Sequence, residues 1–231
     1  MKTVAVLTGD LIRSRKLQNG DLELVLEELP RCFEEIKNRY LTKGGYFEFY
    51  RGDSFQILIH EPELALKVAL ILRARLRSLF AAKVSMKGTI DVKSDARISI
   101  GIGTMRMQNS RVVESQGEAF ELSGMELDKM GKESQELSIK TPWDEINNEL
   151  RVNCLFADNT INNWSAKTAE SVFRYLLYDE TQDQQAGYFN ITQPAVRKRL
   201  MVQGNMKAMD AFIQRSQKII QQQFKNTQNG L

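Results

Sequence analysis

From Phe47 to Ile59 the chain alternates with a period of two, and the alternation is interrupted once, at Gly52-Asp53. Successive strand side chains point to opposite faces and Gly-Asp is a tight-turn pair, so this stretch reads as a β-hairpin. The hairpin limits how its flanks can be arranged. Before it, Lys2 to Thr8 is a short apolar strand ending in Gly9-Asp10, and Leu22, Val25, Leu29, Cys32, Phe33, Ile36 and Tyr40 recur at helical spacing. Pro30 is expected to kink that helical stretch or divide it in two. After the hairpin, Pro62 opens a helix with Leu64, Val68, Ile71, Leu72, Leu76 and Leu79 on its apolar face. Arg97 to Gly103 is a further strand, Gly117 to Gly131 a helix, and Leu137 to Lys140 a last short strand. This order predicts an α+β fold, one antiparallel-rich sheet of ferredoxin-like plan with helices mainly on one face.

Past Pro142 no strand pattern recurs. Residues 1–145 are therefore expected to form the α+β domain. The polar stretch Asn147 to Asn163, interrupted by the apolar island Val152 to Ala157, reads as a linker over residues 146–163. Residues 164–231 are expected to be helical, ending in a mildly low-complexity helix that frays.

Within that region, Thr181 to Leu200 has the spacing of two helices joined by a tight turn. Ala186 is small where the helices touch. Asn190 occupies the turn, where a left-handed backbone is needed and Asn is tolerated after Gly. Ile191 buries under the turn, Thr192 caps the second helix, and Pro194 lies in its first turn, where a missing N–H costs nothing. Val196 and Leu200 face inward, leaving Gln193, Arg197 and Lys198 outward near the N-terminal end of the second helix, the end that enters a major groove. With Pro194 these are the candidate DNA contacts; a plain helical hairpin for packing or dimerisation is the bland alternative. The stretch resembles the bacterial helix-turn-helix of winged or sigma-factor type, in which small-x-x-apolar-Gly-Ile-Ser-x-x-Ala-Val-x-x-x-Leu recurs. An all-helical or winged helix-turn-helix domain is the expectation over 164–231.

Charge agrees with that placement. The net charge of +3 conceals an asymmetry: residues 1–150 hold 22 Lys/Arg and 23 Asp/Glu, whereas from Gln184 onward seven basic residues face one acidic residue, Asp210. Such a segment is attracted to phosphate or is a solvated tail. With His60 the single histidine, a histidine metal site or a Ser-His-Asp triad is almost excluded. Cys32 and Cys154 lie in apolar patterns and read as buried free thiols rather than a disulfide. No run approaches the roughly 20 apolar residues of a membrane span, and the first residues do not form a signal peptide, so the cytoplasm is the expected compartment.

Asp10 ends the first strand and Asp53 sits at the hairpin tip, so a shared sheet would bring them to one edge. Two carboxylates with nearby carbonyls form an oxygen site for Mg²⁺ or Mn²⁺, the ions that hold a nucleotide triphosphate. The following Leu11-Ile12-Arg13-Ser14-Arg15 offers backbone amides and guanidinium groups to phosphate, with Arg13, Ser14 and Arg15 as ligand contacts. Taken singly, each aspartate is equally well a turn or cap residue.

Together, Asp10, Gly52-Asp53, Arg97-Ile98-Ser99-Ile100-Gly101-Ile102 and the helix from Gly117 resemble the class III nucleotidyl cyclase catalytic domain, over roughly residues 1–140. The resemblance implies a cyclase-type sheet, two metal aspartates and a nucleotide ligand. The chain departs from that family at three positions. Glu121 stands at the catalytic Asn position, Met125 at the catalytic Arg position, and Phe49 at the purine-selecting Lys. Neither Glu121 nor Met125 can orient a ribose or neutralise developing phosphate charge, so no catalytic residue is assigned. The whole chain resembles the SatD family of bacterial proteins, linked by name to acid tolerance and secretion. Thr8-Gly9-Asp10-Leu11-Ile12-Arg13-Ser14-Arg15 and Tyr50-Arg51-Gly52-Asp53-Ser54-Phe55-Gln56 carry that likeness.

Arg73, Arg75 and Arg77 are expected on the solvated face of their helix, and Met105, Met107, Met125 and Met130 in the core; Arg111 is a weak ligand candidate. The reading is a DNA-binding regulator with a degenerate cyclase-like sensing domain, acting as a homodimer on paired half-sites. Its rivals are a metal-dependent nucleotide-processing enzyme using Asp10 and Asp53, with the helical domain as scaffold, and a structural interaction protein without ligand.

Overall fold

The computed structural model describes residues 2–12, 14, 19–79, 94–105 and 117–229. Among them five strands form one mixed sheet. β1 (Lys2–Leu11) is central, antiparallel to β3 (Ser54–Ile59) on one side and to β4 (Ala96–Met105) on the other. β2 (Gly45–Arg51) pairs antiparallel with β3, and β5 (Leu137–Lys140) pairs parallel with β4. Helix α1 (Asn19–Tyr40) separates β1 from β2, and α2 (Ala65–Ser78) lies between β3 and β4. With the spatial order β2-β3-β1-β4-β5, the first four strands follow the split βαββαβ plan expected from sequence. Pro30 sits inside α1 without dividing it.

Alternation along the strands sorts the two sheet faces. Ala5, Leu7, Phe55, Ile57, Ile98 and Ile100 share one buried cluster with Leu29, Phe33 and Ile36 of α1 and Leu66, Leu70 and Ile71 of α2. Val4, Val6, Leu58 and Met105 form a second cluster with Ala119, from helix α3 (Glu118–Glu133). Helices therefore cover both faces rather than mainly one. The second face is legible in β4: a Cβ on Gly101 would lie 2.2 Å from the Ala119 carbonyl oxygen and 2.5 Å from the Ser123 nitrogen. The backbone of α3 thus rests directly on the strand, and the Thr8 and Ser123 hydroxyls, 2.8 Å apart, join helix to sheet.

Residues 146–163, expected as a linker, lie within or beside helix α4 (Asp144–Asn162), which packs on β5. Its polar residues misled the sequence reading because several are buried and bonded. Asn147 accepts from the Thr141 backbone N–H and donates to the Thr141 carbonyl, both at 2.8 Å. Asp158 accepts the backbone N–H groups of Glu136 and Leu137, both at 2.9 Å. Leu150, Cys154, Ala157 and Ile161 enter the same core as the sheet. Helices α5 (Ala166–Tyr178), α6 (Gln182–Phe189), α7 (Gln193–Arg197) and α8 (Met206–Asn229) follow, and α5 packs along α2. No strand occurs in 164–229, so this part is all-helical rather than winged. No described helix is long and apolar enough to cross a membrane. Both cysteines are free and buried, and burial pushes their thiols well above the ordinary range.

The expectation of a solvated arginine face on α2 is overturned. Arg73 is fully buried. Its Nε and Nη2 donate to Asp95 at 3.0 and 2.9 Å, Nη1 to Asp158 at 2.5 Å, and Nη2 also to Glu136 at 2.9 Å. Arg77, also buried, donates to Asp95 at 2.8 Å and to the carbonyls of Asn162 and Trp164 at 3.1 Å. Arg75 reaches α1 instead, pairing with Glu28 at 2.7 Å. The reason is visible in α2: Leu66, Val68, Ala69, Leu70, Ile71, Leu72, Ala74 and Leu76 are all buried, so little of the helix can face water. Of the methionines, Met105 and Met130 are buried, whereas Met125 is exposed on α3; Met107 lies outside the described residues.

Removing one partner of a buried ion pair leaves uncompensated charge, at about 3–5 kcal/mol. Arg73→Met is expected to lose stability of that order in urea unfolding, because three carboxylates lose their guanidinium. Burial would raise the Asp95 carboxyl, but Arg73 and Arg77 outweigh it and hold Asp95 below its usual range. A depressed folded value contributes stability above the unfolded value and loses it as pH falls through the folded one. Asp95→Asn is thus expected to be less stable than the wild type at neutral pH, the gap narrowing only below about pH 4. Paired melting curves across pH check this.

Candidate functional site

The ladder brings the two candidate aspartates to one end of the sheet. Asp10 is opposite Ser54 in β3, and the Leu11 N–H donates to the Asp53 carbonyl at 3.2 Å. Gly52, with φ of +48°, makes the two-residue turn that places Asp53 beside Ser54. Each carboxylate has a partner of its own. Asp10 is opposite Arg97 in β4, whose Nε and Nη2 grip its two oxygens at 3.0 and 2.7 Å. Hydrogen bonding to Asp10 raises the pKa of the Arg97 guanidinium further. Asp53 accepts the Ser14 hydroxyl.

The amides proposed for phosphate are likewise engaged, Leu11 with the Asp53 carbonyl and Ile12 with the Asp95 carbonyl at 2.8 Å. Ser14 is thus a neighbour of Asp53, while Arg13, Arg15 and Arg111 lie outside the described residues. Sequence reasoning used Arg97 only as a motif position and missed that it faces Asp10. Ladder register carries that information, and register cannot be read from one strand alone.

A hard divalent ion requires about six oxygens, several of them charged. Among the described residues no group of three or more His, Cys, Asp or Glu could hold a metal ion, and a guanidinium occupies one of the two expected carboxylates. The described residues, with Arg97 on Asp10, do not fit Mg²⁺ or Mn²⁺.

Glu121 and Met125 are exposed on α3, four residues apart. Gly131 of the same helix abuts Arg97. At 1.5 Å per residue, Met125 and Glu121 are displaced along the helix by about 9 and 15 Å from that contact. Phe49 packs edge-on in an aromatic cluster, its ring centroid 5.0 Å from Phe47 and 6.4 Å from Phe55, on the face covered by α1.

The second constellation is α6, its turn and α7. Thr181 and Gln184 form a reciprocal capping box at the start of α6. Asn190 is left-handed, with φ 52° and ψ 49°, and the Ile191 N–H reaches the Ala186 carbonyl at 3.1 Å. Thr192 is the first residue before α7, but its side chain makes no capping bond. Val196 and Leu200 are buried, while Pro194, Arg197 and Lys198 are exposed. Gln193 is half-buried and donates to the Gln182 side chain at 2.6 Å, so it ties the two helices together. Beyond Arg197 the helix widens into a π-type turn over Lys198–Gln203, closed by Gly204 N–H on the Arg199 carbonyl at 2.6 Å. Gln185, not singled out from sequence, is fully buried and donates to the Ser171 carbonyl of α5 at 3.1 Å.

No family model matches this chain, and no curated protein matches it. Solved structures do match part of it. The active GGEEF domain of a diguanylate cyclase from Vibrio cholerae is 12% identical with a TM-score of 0.40, covering 61% of this chain and 83% of that one. A bacterial light-regulated adenylyl cyclase is 13% identical with a TM-score of 0.39, covering 60% of this chain and 75% of that one. An adenylyl cyclase from P. aeruginosa is 15% identical with a TM-score of 0.39, covering 54% of this chain and 71% of that one. Likeness at these identities and TM-scores carries no argument about activity.

Incubation with Mn²⁺ and ATP or GTP is expected to yield no cyclic nucleotide by mass spectrometry. Positioned donors at developing charge typically supply about 3–4 kcal/mol each, and a carboxylate and a thioether replace both. Abundant cyclic product, lost in Asp53→Ala, would contradict that expectation.

Proposed function

We propose that this protein is a DNA-binding regulator, in which the helix-turn-helix of α6 and α7 contacts DNA and the α+β half is a degenerate cyclase-like sensing domain. The observation that carries the reading is the left-handed Asn190 turn, followed by buried Val196 and Leu200 and by exposed Pro194, Arg197 and Lys198 on α7 and the start of the π-type turn after it. That helix lies in the segment where seven basic residues face one acidic residue, which favours a phosphate backbone as partner. The motifs Thr8 to Arg15 and Tyr50 to Gln56 support membership of the SatD family. A homodimer suits paired half-sites about one helical turn apart. The enzyme alternative is disfavoured by the neutralisation of Asp10 by Arg97.

Selection of genomic fragments on the purified protein, followed by fluorescence anisotropy across a salt series, tests the reading. Lys198→Ala is expected to weaken binding uniformly across sequences and reduce the salt slope by about one unit. Arg197→Ala, at a base-reading position, is expected to cost about 1–3 kcal/mol at a single base pair. Unaltered affinity in both variants would remove the helix-turn-helix from function.

A further inference from the structure

The end of the sheet has the two aspartates of a metal site and the contacts of something else. We infer that Arg97 is the resident cation there, its guanidinium holding the place at Asp10 that a divalent ion would need, so that the protein takes up no Mg²⁺ or Mn²⁺ at this end. The inference is independent of the DNA reading.

Three features argue for it. The pairing is bidentate, Nε to Oδ1 at 3.0 Å and Nη2 to Oδ2 at 2.7 Å, so both Asp10 oxygens face the planar fork of the guanidinium. The pair is also built into the fold. Asp10 and Arg97 are directly opposed in the ladder, and α3 presents Gly131 to the guanidinium, where a Cβ would stand 2.8 Å from Nη1. A side chain at 131 would therefore have to push the end of Arg97 aside. Finally, Asp53 accepts the Ser14 hydroxyl, one of the several bonds a carboxylate can accept, so at this end it is Asp10 that the guanidinium closes. A divalent ion at Asp10 would therefore have to displace a positive charge and its two hydrogen bonds.

The arrangement also implies a latent site, since removing the guanidinium returns both Asp10 oxygens. Mn²⁺ is titrated into the full chain and followed by the electron paramagnetic resonance of free Mn²⁺, for the wild type, Asp10→Asn, Arg97→Ala and Arg97→Ala with Asp10→Asn. The wild type is expected to show no site, and Asp10→Asn to change nothing. Arg97→Ala is expected to gain one Mn²⁺ per chain and to lose it again when Asp10→Asn is added. Arg97→Gln keeps a polar side chain without the charge and is expected to gain weaker uptake, so the test survives if Arg97→Ala does not fold. A wild-type site lost in Asp10→Asn overturns the inference. So does an Arg97→Ala chain that melts like the wild type and takes up no Mn²⁺.

Discussion

A guanidinium sealed from water has to be neutralised from inside the fold, and at Arg73 three separate segments supply the oxygens. Asp95 precedes β4, Glu136 precedes β5, and Asp158 belongs to α4. Helix α2 is thereby fastened to the start of two neighbouring strands and to the helix that follows the sheet. The arrangement is electrostatically demanding. Burial raises Glu136 and Asp158 above the usual carboxylate range even beside Arg73, while Asp95, facing two guanidinium groups, is held low. The cluster thus depends on every member being in place, which is how a polar group buried among Leu, Ile and Val comes to specify one arrangement of elements.

The same cluster underlies the end of the sheet. Asp95 engages Arg73 and Arg77 through its carboxylate and holds the Ile12 amide through its carbonyl, so it links the buried charges to the segment after β1. Two residues further along β4, Arg97 meets Asp10. The carbonyl of Glu136, one of the Arg73 partners, accepts the Ile98 N–H at 2.9 Å. Buried network and sheet-end ion pair therefore share one strand start. Any shift of β4 that served one would strain the other.

The strands, the hairpin and the α+β order were legible because each rests on a local period or a turn residue: alternation over Phe47 to Ile59, Gly52 at the tip, apolar spacing in α1. The turn at Asn190 was legible for the same reason, since a left-handed residue between two short helices selects Asn or Gly. Burial of polar residues was not. Asn147 and Asp158 read as linker, yet both are buried acceptors for backbone amides, and nothing in their neighbours reveals this. Arg73 and Arg77 read as solvated because arginine usually is; the contrary signal was that α2 has apolar residues nearly all round. Asp10 and Asp53 lie at one end of the sheet, but the partners of their carboxylates are 87 and 39 residues away along the chain, beyond any local pattern.

Helix α5 belongs to two constructions at once. It packs along α2 on one side, and Gln185 of α6 bonds its Ser171 carbonyl on another. The end of α5 carries carbonyls that have no partner inside the helix. Tyr40, the last residue of α1, donates its hydroxyl to two of them, Leu176 and Leu177, at 2.9 and 2.8 Å. From the next residue, the Tyr178 hydroxyl donates to Glu35 of α1 at 2.7 Å. The turn and helix that present Arg197 and Lys198 are therefore not suspended on a flexible joint. Their orientation follows from α5, and that of α5 follows from α1 and α2, the two helices on which the main sheet core is built.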